Sequence, residues 1–280
     1  MAKVALSGYA TIDYVSNAAL PIVPTGTNTI EVVEGGFPRT GGAPLFAGQA
    51  LLAQGHAVAP IVSIGSDENG ALLRHHMRIR GMSPRGVSQI KDGRTAMCFL
   101  VHQPGGGYCC FLDRGSAGTA KMTAIQRAIV KEADWIVIAA GPRSTTAEVL
   151  SLVSPVQKVA WIVKADEVCF PQDLRMTLRS RASMIFLNRH ERDFLGAVSV
   201  PEQVIFETDG HRGVRVLAKD EMLFVGAEPM DVNDATGAGD TFAGAAMATL
   251  FNAPQAFEEA SLQGMAAVRA LLRGRNRALT

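Results

Sequence analysis

Residues Asn233–Ala246 read NDATGAGDTFAGAA, two aspartates around a threonine–glycine–alanine loop, followed by small and apolar residues through Phe251 with only Gly244 as a breaker. The pattern predicts a helix beginning near Ala238. The amides of Gly237, Ala238 and Gly239 are then donors at a helix N-terminus, where the positive end of the dipole favours an anion. Glycine suits such a loop because it permits φ > 0 and puts no side chain between a phosphate and the backbone. Asp240 falls in the first helical turn. It is either an acid favoured by the dipole, which contributes ~0.3–1 kcal/mol, or a base that takes a proton from an acceptor hydroxyl while the amides hold a phosphoryl group. General-base help of that kind is worth ~10²–10⁴ in rate, and anion-stabilising amides contribute comparably. A dinucleotide fingerprint would need a third glycine where Phe242 stands, and it belongs to a first βα turn rather than to this late position.

The surrounding elements must hold that loop in place. From about residue 120 the chain alternates helix-like segments with short apolar runs: KMTAIQRAIVKEA with Met122, Ile125 and Ile129 on one face, then WIVIAAG, KVAWIV, SMIFLN and QVIFET. Thr145–Glu148 has capping-box spacing. This rhythm predicts a parallel sheet with helices on both faces. GAPLFAGQALLAQG and ENGALLRHHMRIRG read as helices closed by Gly55 and Gly81, with the strand AVAPIVSIG between them. Residues 14–40 lack a helical period, and 93–115 read as two strands joined at Pro104–Gly107. The expectation is one α/β domain over 1–280 with a small β-rich appendage built from about 14–40 and 93–119.

With 48% hydrophobic and 19% charged residues and a formal net charge of +1, the chain carries no strong field toward nucleic acid or an anionic membrane. No apolar window is long enough for a membrane span, and the first residues read as a strand rather than a signal peptide. Cys98, Cys109, Cys110 and Cys169 show no CxxC spacing and read as packing residues of a cytoplasmic protein. The six histidines have no zinc spacing, no GxSxG elbow is present, and His75 and His76 with Arg74, Arg78 and Arg80 read as a solvated basic face.

DATGAGD at 234–240 resembles the DTxGAGD signature of the ribokinase-like, PfkB-type carbohydrate kinases. GGAPLFAGQALLAQG at 41–55 is similar to that family's GGxxxNxA…LG element, NRHE at 188–191 to its NxxE, and TDGHRG at 208–213 to its TxGxxG nucleotide loop. The four follow in family order across nearly the whole chain. The resemblance implies a three-layer, doubly wound, mostly parallel sheet, with the appendage as a lid. It assigns Asp240 as catalytic base and the Gly237, Ala238 and Gly239 amides as the anion hole. Asn188 and Glu191 would arrange Mg²⁺ through water, and Thr208, Gly210, Gly213 and Gly239 the phosphates of ATP. Asp234 and the Thr236 carbonyl match positions that serve a monovalent cation such as K⁺ in many relatives, with Gly274 nearby. A homodimer through the lid is implied by analogy.

The acceptor side departs from the pattern. Thr11, Asp13, Gly41 and Gly42 match acceptor-binding positions, with Asp13 expected just after the first strand. The family asparagine of GGxxxNxA is replaced by Phe46, an aromatic ring at the acceptor position that can stack or pack but cannot donate. Ala140 and Gly141 stand where ribokinases carry a carboxylate, and Asp209 puts an acid in the nucleotide loop. A sugar-like acceptor and a nucleoside both remain open, as does a binding or regulatory protein that kept the fold without the chemistry.

Overall fold

The computed structural model describes every residue except Glu34, Gly105, Gly106, 198–201, Asp220, Asn233 and 278–280. The centre of the expected 104–107 turn and the first residue of the glycine-rich stretch therefore lie outside the described residues.

The strands are β1 (Lys3–Ser7), β2 (Thr11–Ala18), β3 (Ile30–Val32), β4 (Arg39–Gly41), β5 (Ala57–Gly65), β6 (Val87–Ile90), β7 (Met97–His102), β8 (Tyr108–Asp113), β9 (Trp135–Ile138), β10 (Lys158–Ile162), β11 (Ala182–Asn188), β12 (Val204–Thr208), β13 (Gly213–Ala218) and β14 (Glu221–Gly226). The helices are α1 (Ala43–Ala53), α2 (Glu68–Ile79), α3 (Ala124–Glu132), α4 (Arg143–Leu152), α5 (Gln172–Arg181), α6 (Arg192–Leu195), α7 (Ala238–Asn252) and α8 (Phe257–Arg277). Nine strands form the large sheet in the order β14-β13-β12-β11-β10-β9-β1-β5-β6. From β6 to β12 neighbours run parallel, while β13 and β14 close the far edge antiparallel.

Such strands are apolar on both faces because each face is covered by helices. Val4 and Leu6 of β1 face one core with Phe242, Ala246 and Met247 of α7. Ala5, between them, faces the other core with Ile129 of α3 and Val149 of α4. Helix α7 is buried nearly all round, and its small residues let α1 approach: a side chain at Gly244 would run into the Ala47 backbone. Leu6 is fully buried, and truncating such a side chain to alanine costs ~2–5 kcal/mol.

A second sheet, β3-β2-β7-β8 with β4 also on β2, comes from the two segments expected to form the appendage. Three local expectations fail. Asp13 does not end the first strand; it lies within β2, opposite Arg39 and Cys98, because the chain breaks at Gly8 and re-enters as a strand of the smaller sheet. Helix α4 starts behind Pro142 with no side-chain cap, so Thr145 is already inside the helix and Glu148 instead pairs with Arg127 at 2.6 Å. In α3 the inner face is Gln126, Ile129 and Val130, and Ile125 is exposed. Among the described residues no helix is long and apolar enough to cross a membrane.

Candidate active site

The glycine loop enters α7 through Gly237, whose φ of 74° lies in the left-handed region and needs glycine. The Ala238 amide donates to the Ala235 carbonyl at 3.0 Å, so it is engaged inside the turn rather than free for an anion. The amides of Gly237, Gly239 and Asp240 donate to no backbone carbonyl among the described residues. A Cβ at Gly239 would meet open space, which is room for a phosphate to reach the backbone. The donor set that the loop offers is thus shifted toward Gly237, Gly239 and Asp240.

Asp240 sits half-buried in the first turn of α7. Burial pushes its carboxyl up to about 6, with Glu191 and Asp13 raising it further and Lys164 opposing. Asp13 is 4% exposed, accepts from the Thr11 hydroxyl at 2.6 Å, and is likewise raised by burial to about 6. Gly41 pairs with Thr11 across β4 and β2, and a side chain there would collide with the Asp13 carboxylate. Gly42, at φ 95°, starts α1 against the Tyr9 carbonyl. The predicted acceptor residues Thr11, Asp13, Gly41 and Gly42 therefore stand together, and Asp13 is near enough to bear on the titration of Asp240. Ala140 accepts from the Tyr9 amide at 2.7 Å and Gly141 packs on Gly8, so the strand end beside them is closed.

The carboxyl ends of the parallel strands supply the rest, as ligand crevices of open α/β sheets do. Asn188 and Thr208 are register partners at the ends of β11 and β12, which brings two motifs side by side. NRHE forms a capping box: Asn188 Oδ1 accepts from the Glu191 amide at 3.1 Å and Glu191 Oε2 from the Asn188 amide at 2.9 Å. Glu191 is buried rather than solvated, and burial raises its carboxyl. Gly210 (φ 55°) and Gly213 (φ 126°), the glycines of the TDGHRG stretch, both occupy the left-handed region. Asp209 beside them is neutralised by Arg189 at 3.1 Å and Arg212 at 3.4 Å, which holds its carboxyl below the usual range.

Two groups went unread in the sequence. Lys164, just beyond β10, lies 3.9 Å from Glu191 Oε1 and donates to the Tyr108 hydroxyl of β8 at 2.7 Å. Burial works against its charge, yet Tyr108, Glu191 and Asp240 together hold its pKa above the ordinary lysine value. The second is a cluster around Asp234, made by Arg39 of β4, His102 of β7 and Arg275 of α8. A lone lysine after a strand and an arginine near the chain end carry no motif, so only folding could bring them to the site. Phe46, expected at the acceptor, packs its ring against Gly237 and lies 5.7 Å from the Arg275 guanidinium. His76 and Arg80 are not free surface either: both reach the Thr40 hydroxyl, at 3.0 and 3.1 Å.

The cleft fits a hydrated divalent cation. Glu191 and Asp240 are carboxylates raised by burial that share the charge of one lysine, an arrangement that such a cation would relieve. Among the described residues no three His, Cys, Asp or Glu side chains converge as a metal cage. Mg²⁺ gives up its waters reluctantly, so carboxylates placed as Glu191 and Asp240 are would hold it through them. Asp234 does not fit a monovalent cation, because Oδ2 already faces two guanidinium groups and Oδ1 faces His102 and the Thr236 amide.

Residues 1–274 match the model of the pfkB family carbohydrate kinases. Fructokinase-1 of Zea mays is 26% identical over 250 residues, covering 78% of this chain and 76% of that protein. The fold is similar to ribokinase from Cryptococcus neoformans var. grubii serotype A in complex with ADP (TM-score 0.80, 19% identity, 96% of this chain and 93% of that one). It is also similar to the nucleoside kinase of Methanocaldococcus jannaschii (TM-score 0.76, 16% identity, 98% and 92%). A ribokinase-type protein from E. coli in complex with ATP and Mg²⁺ has a TM-score of 0.75 at 18% identity, covering 98% and 94%. The chain belongs to the pfkB family of carbohydrate kinases, phosphotransferases with an alcohol group as acceptor.

Proposed function

We propose that this protein transfers the γ-phosphoryl group of ATP to a hydroxymethyl group of a sugar or sugar-like molecule. The observation that carries the reading is Asp240, a carboxylate raised to about 6 in the same helical turn as amides that donate to no backbone carbonyl among the described residues. Asp240 takes the acceptor's hydroxyl proton as that oxygen attacks phosphorus and the bond to the ADP oxygen breaks. The Gly237, Gly239 and Asp240 amides stabilise the charge that spreads over the transferring group, where positioning and electrostatics supply most of the acceleration. Lys164 adds positive charge from the opposite wall. Asp13, beneath Gly41, orients the acceptor's other hydroxyls. Glu191 and Asn188 would hold Mg²⁺ through its waters, and the ion would supply further neutralisation of the phosphates. Thr208, Gly210 and Gly213 line the nucleotide, and the smaller sheet acts as the lid that excludes water.

A nucleoside acceptor is the second reading, favoured by the closed strand end at Ala140 and Gly141, which offers no carboxylate to a free sugar. A coupled ADP-release screen over sugars, sugar acids and nucleosides separates the two. Asp240→Asn should lose ~10²–10⁴ in turnover while binding nucleotide as the parent does. Undiminished turnover in that variant overturns the role given to Asp240.

A further inference from the structure

Asp234 opens the loop that leads to the anion-binding amides, and its carboxylate is crowded with positive charge. Oδ2 lies 2.7 Å from Arg39 Nη2 and 3.4 Å from Arg275 Nη1, while Oδ1 faces His102 Nε2 at 3.4 Å and accepts from the Thr236 amide at 2.9 Å. Arg275 also donates to the Asp234 carbonyl at 3.1 Å. Burial alone would raise this carboxyl, but His102, Thr236 and Arg275 hold it far below the usual range, so it stays charged. Behind the loop the Arg275 guanidinium lies 5.7 Å from the centroid of the Phe46 ring, and that ring is packed against Gly237. Arg275 therefore fixes the loop twice, through Asp234 before it and through Phe46 beneath its αL glycine.

We propose that Arg275, with Arg39, is the positioning residue of the anion loop and supplies internally the charge that would otherwise come from a bound monovalent cation. A K⁺ at Asp234 would have to displace two guanidiniums or sit among them, and like charges at such distances oppose it. A guanidinium cannot lose its proton in a protein, so the charge it supplies is permanent. Arg39 and His102 belong to the smaller sheet, whereas Arg275 comes from α8. The same carboxylate thus ties the lid of the proposed reading to the loop that would hold the phosphoryl group.

The inference rests on the kinase reading, and its test keeps the two apart. Turnover of the wild-type chain is measured with K⁺, Na⁺ or tetramethylammonium as the sole monovalent cation at fixed ionic strength, alongside its melting temperature and its calorimetric affinity for MgADP. All three readouts should agree within twofold or one degree across the cations. Arg275→Met should lose at least tenfold in kcat in tetramethylammonium and regain part of it with K⁺, since Asp234 is then open to a cation. Arg275→Lys, which keeps the charge, should retain more activity than Arg275→Met and stay insensitive to K⁺; it also serves if the methionine variant does not fold. A wild type that needs K⁺, or an Arg275→Met variant as active as wild type in tetramethylammonium, overturns the proposal. Absence of phosphoryl transfer to any acceptor in every cation overturns the kinase reading instead.

Discussion

Lys164 Nζ donates to the Tyr108 hydroxyl at 2.7 Å, joining the carboxyl end of β10 to the smaller sheet directly over the Glu191 carboxylate. A lysine bonded only to surface partners would be worth little, but this one faces two desolvated acids. Its loss should therefore appear in chemistry rather than in folding. Lys164→Met is expected to lower kcat by ~10²-fold or more, as removal of one charge-stabilising donor does. Tyr108→Phe keeps the ring and the cation–π contact, so its effect should fall on acceptor KM with kcat nearly kept. Steady-state kinetics on both variants checks the split.

Activity should fall with acidity. On the proposed reading Asp240 must be ionised to accept a proton, and both it and Asp13 are pushed up to about 6. The kcat/KM of the free enzyme is expected to drop as pH falls through about 6, with a limb steeper than one proton. The two groups interact, so the apparent values belong to the pair. A flat profile from pH 8 to 5 would contradict the assignment of Asp240.

Asp13 should also cost the apo-protein stability. Its folded pKa is raised, so the native state holds a proton more tightly than the unfolded chain does. The unfavourable contribution is absent below the ordinary 3.8, grows as pH rises, and is complete above about 6. Asp13→Asn removes the charge and keeps an acceptor for Thr11. It is expected to raise unfolding free energy at pH 7 by ~1–3 kcal/mol and to abolish acceptor binding. Urea melts at pH 4 and pH 7 test the sign, because the gain should vanish at the lower value.

Two glycines of one loop should respond oppositely to alanine. Gly239 faces open space within a helix, so Gly239→Ala should keep or raise stability, by up to ~1 kcal/mol. Its methyl group nonetheless intrudes where the phosphate would approach, and turnover should fall. Gly237 has φ 74° and the Phe46 ring against its α-carbon. Gly237→Ala should destabilise by more than ~1 kcal/mol, and adding Phe46→Ala should relieve the clash without relieving the backbone strain. Thermal melts paired with ADP-release assays read both.

Much of this was legible in the chain itself. The Asp240 helix begins at Ala238 as expected, because small residues after a glycine pair leave few alternatives to a buried helix. The strands ending at Asn188 and Thr208 announced themselves as short apolar runs, MIFL and VIF. Local signals also misled where a neighbour outweighed them: Pro142 started α4 before the threonines could cap it, and the Ala235 carbonyl took the Ala238 amide.

Sequence by itself determined the layered α/β architecture, the family and the glycine loop that opens α7, since these follow from periodicity and from short motifs whose residues are near neighbours along the chain. Tertiary structure alone decided which charges surround that loop. Arg39, His102 and Arg275 lie far apart in the chain and meet at Asp234 only because β4, β7 and α8 converge there, and Lys164 faces Asp240 only because the carboxyl end of β10 and the N-terminus of α7 come together. A charge acts through space and not along the chain, so its partners cannot be counted until the fold has set the distances.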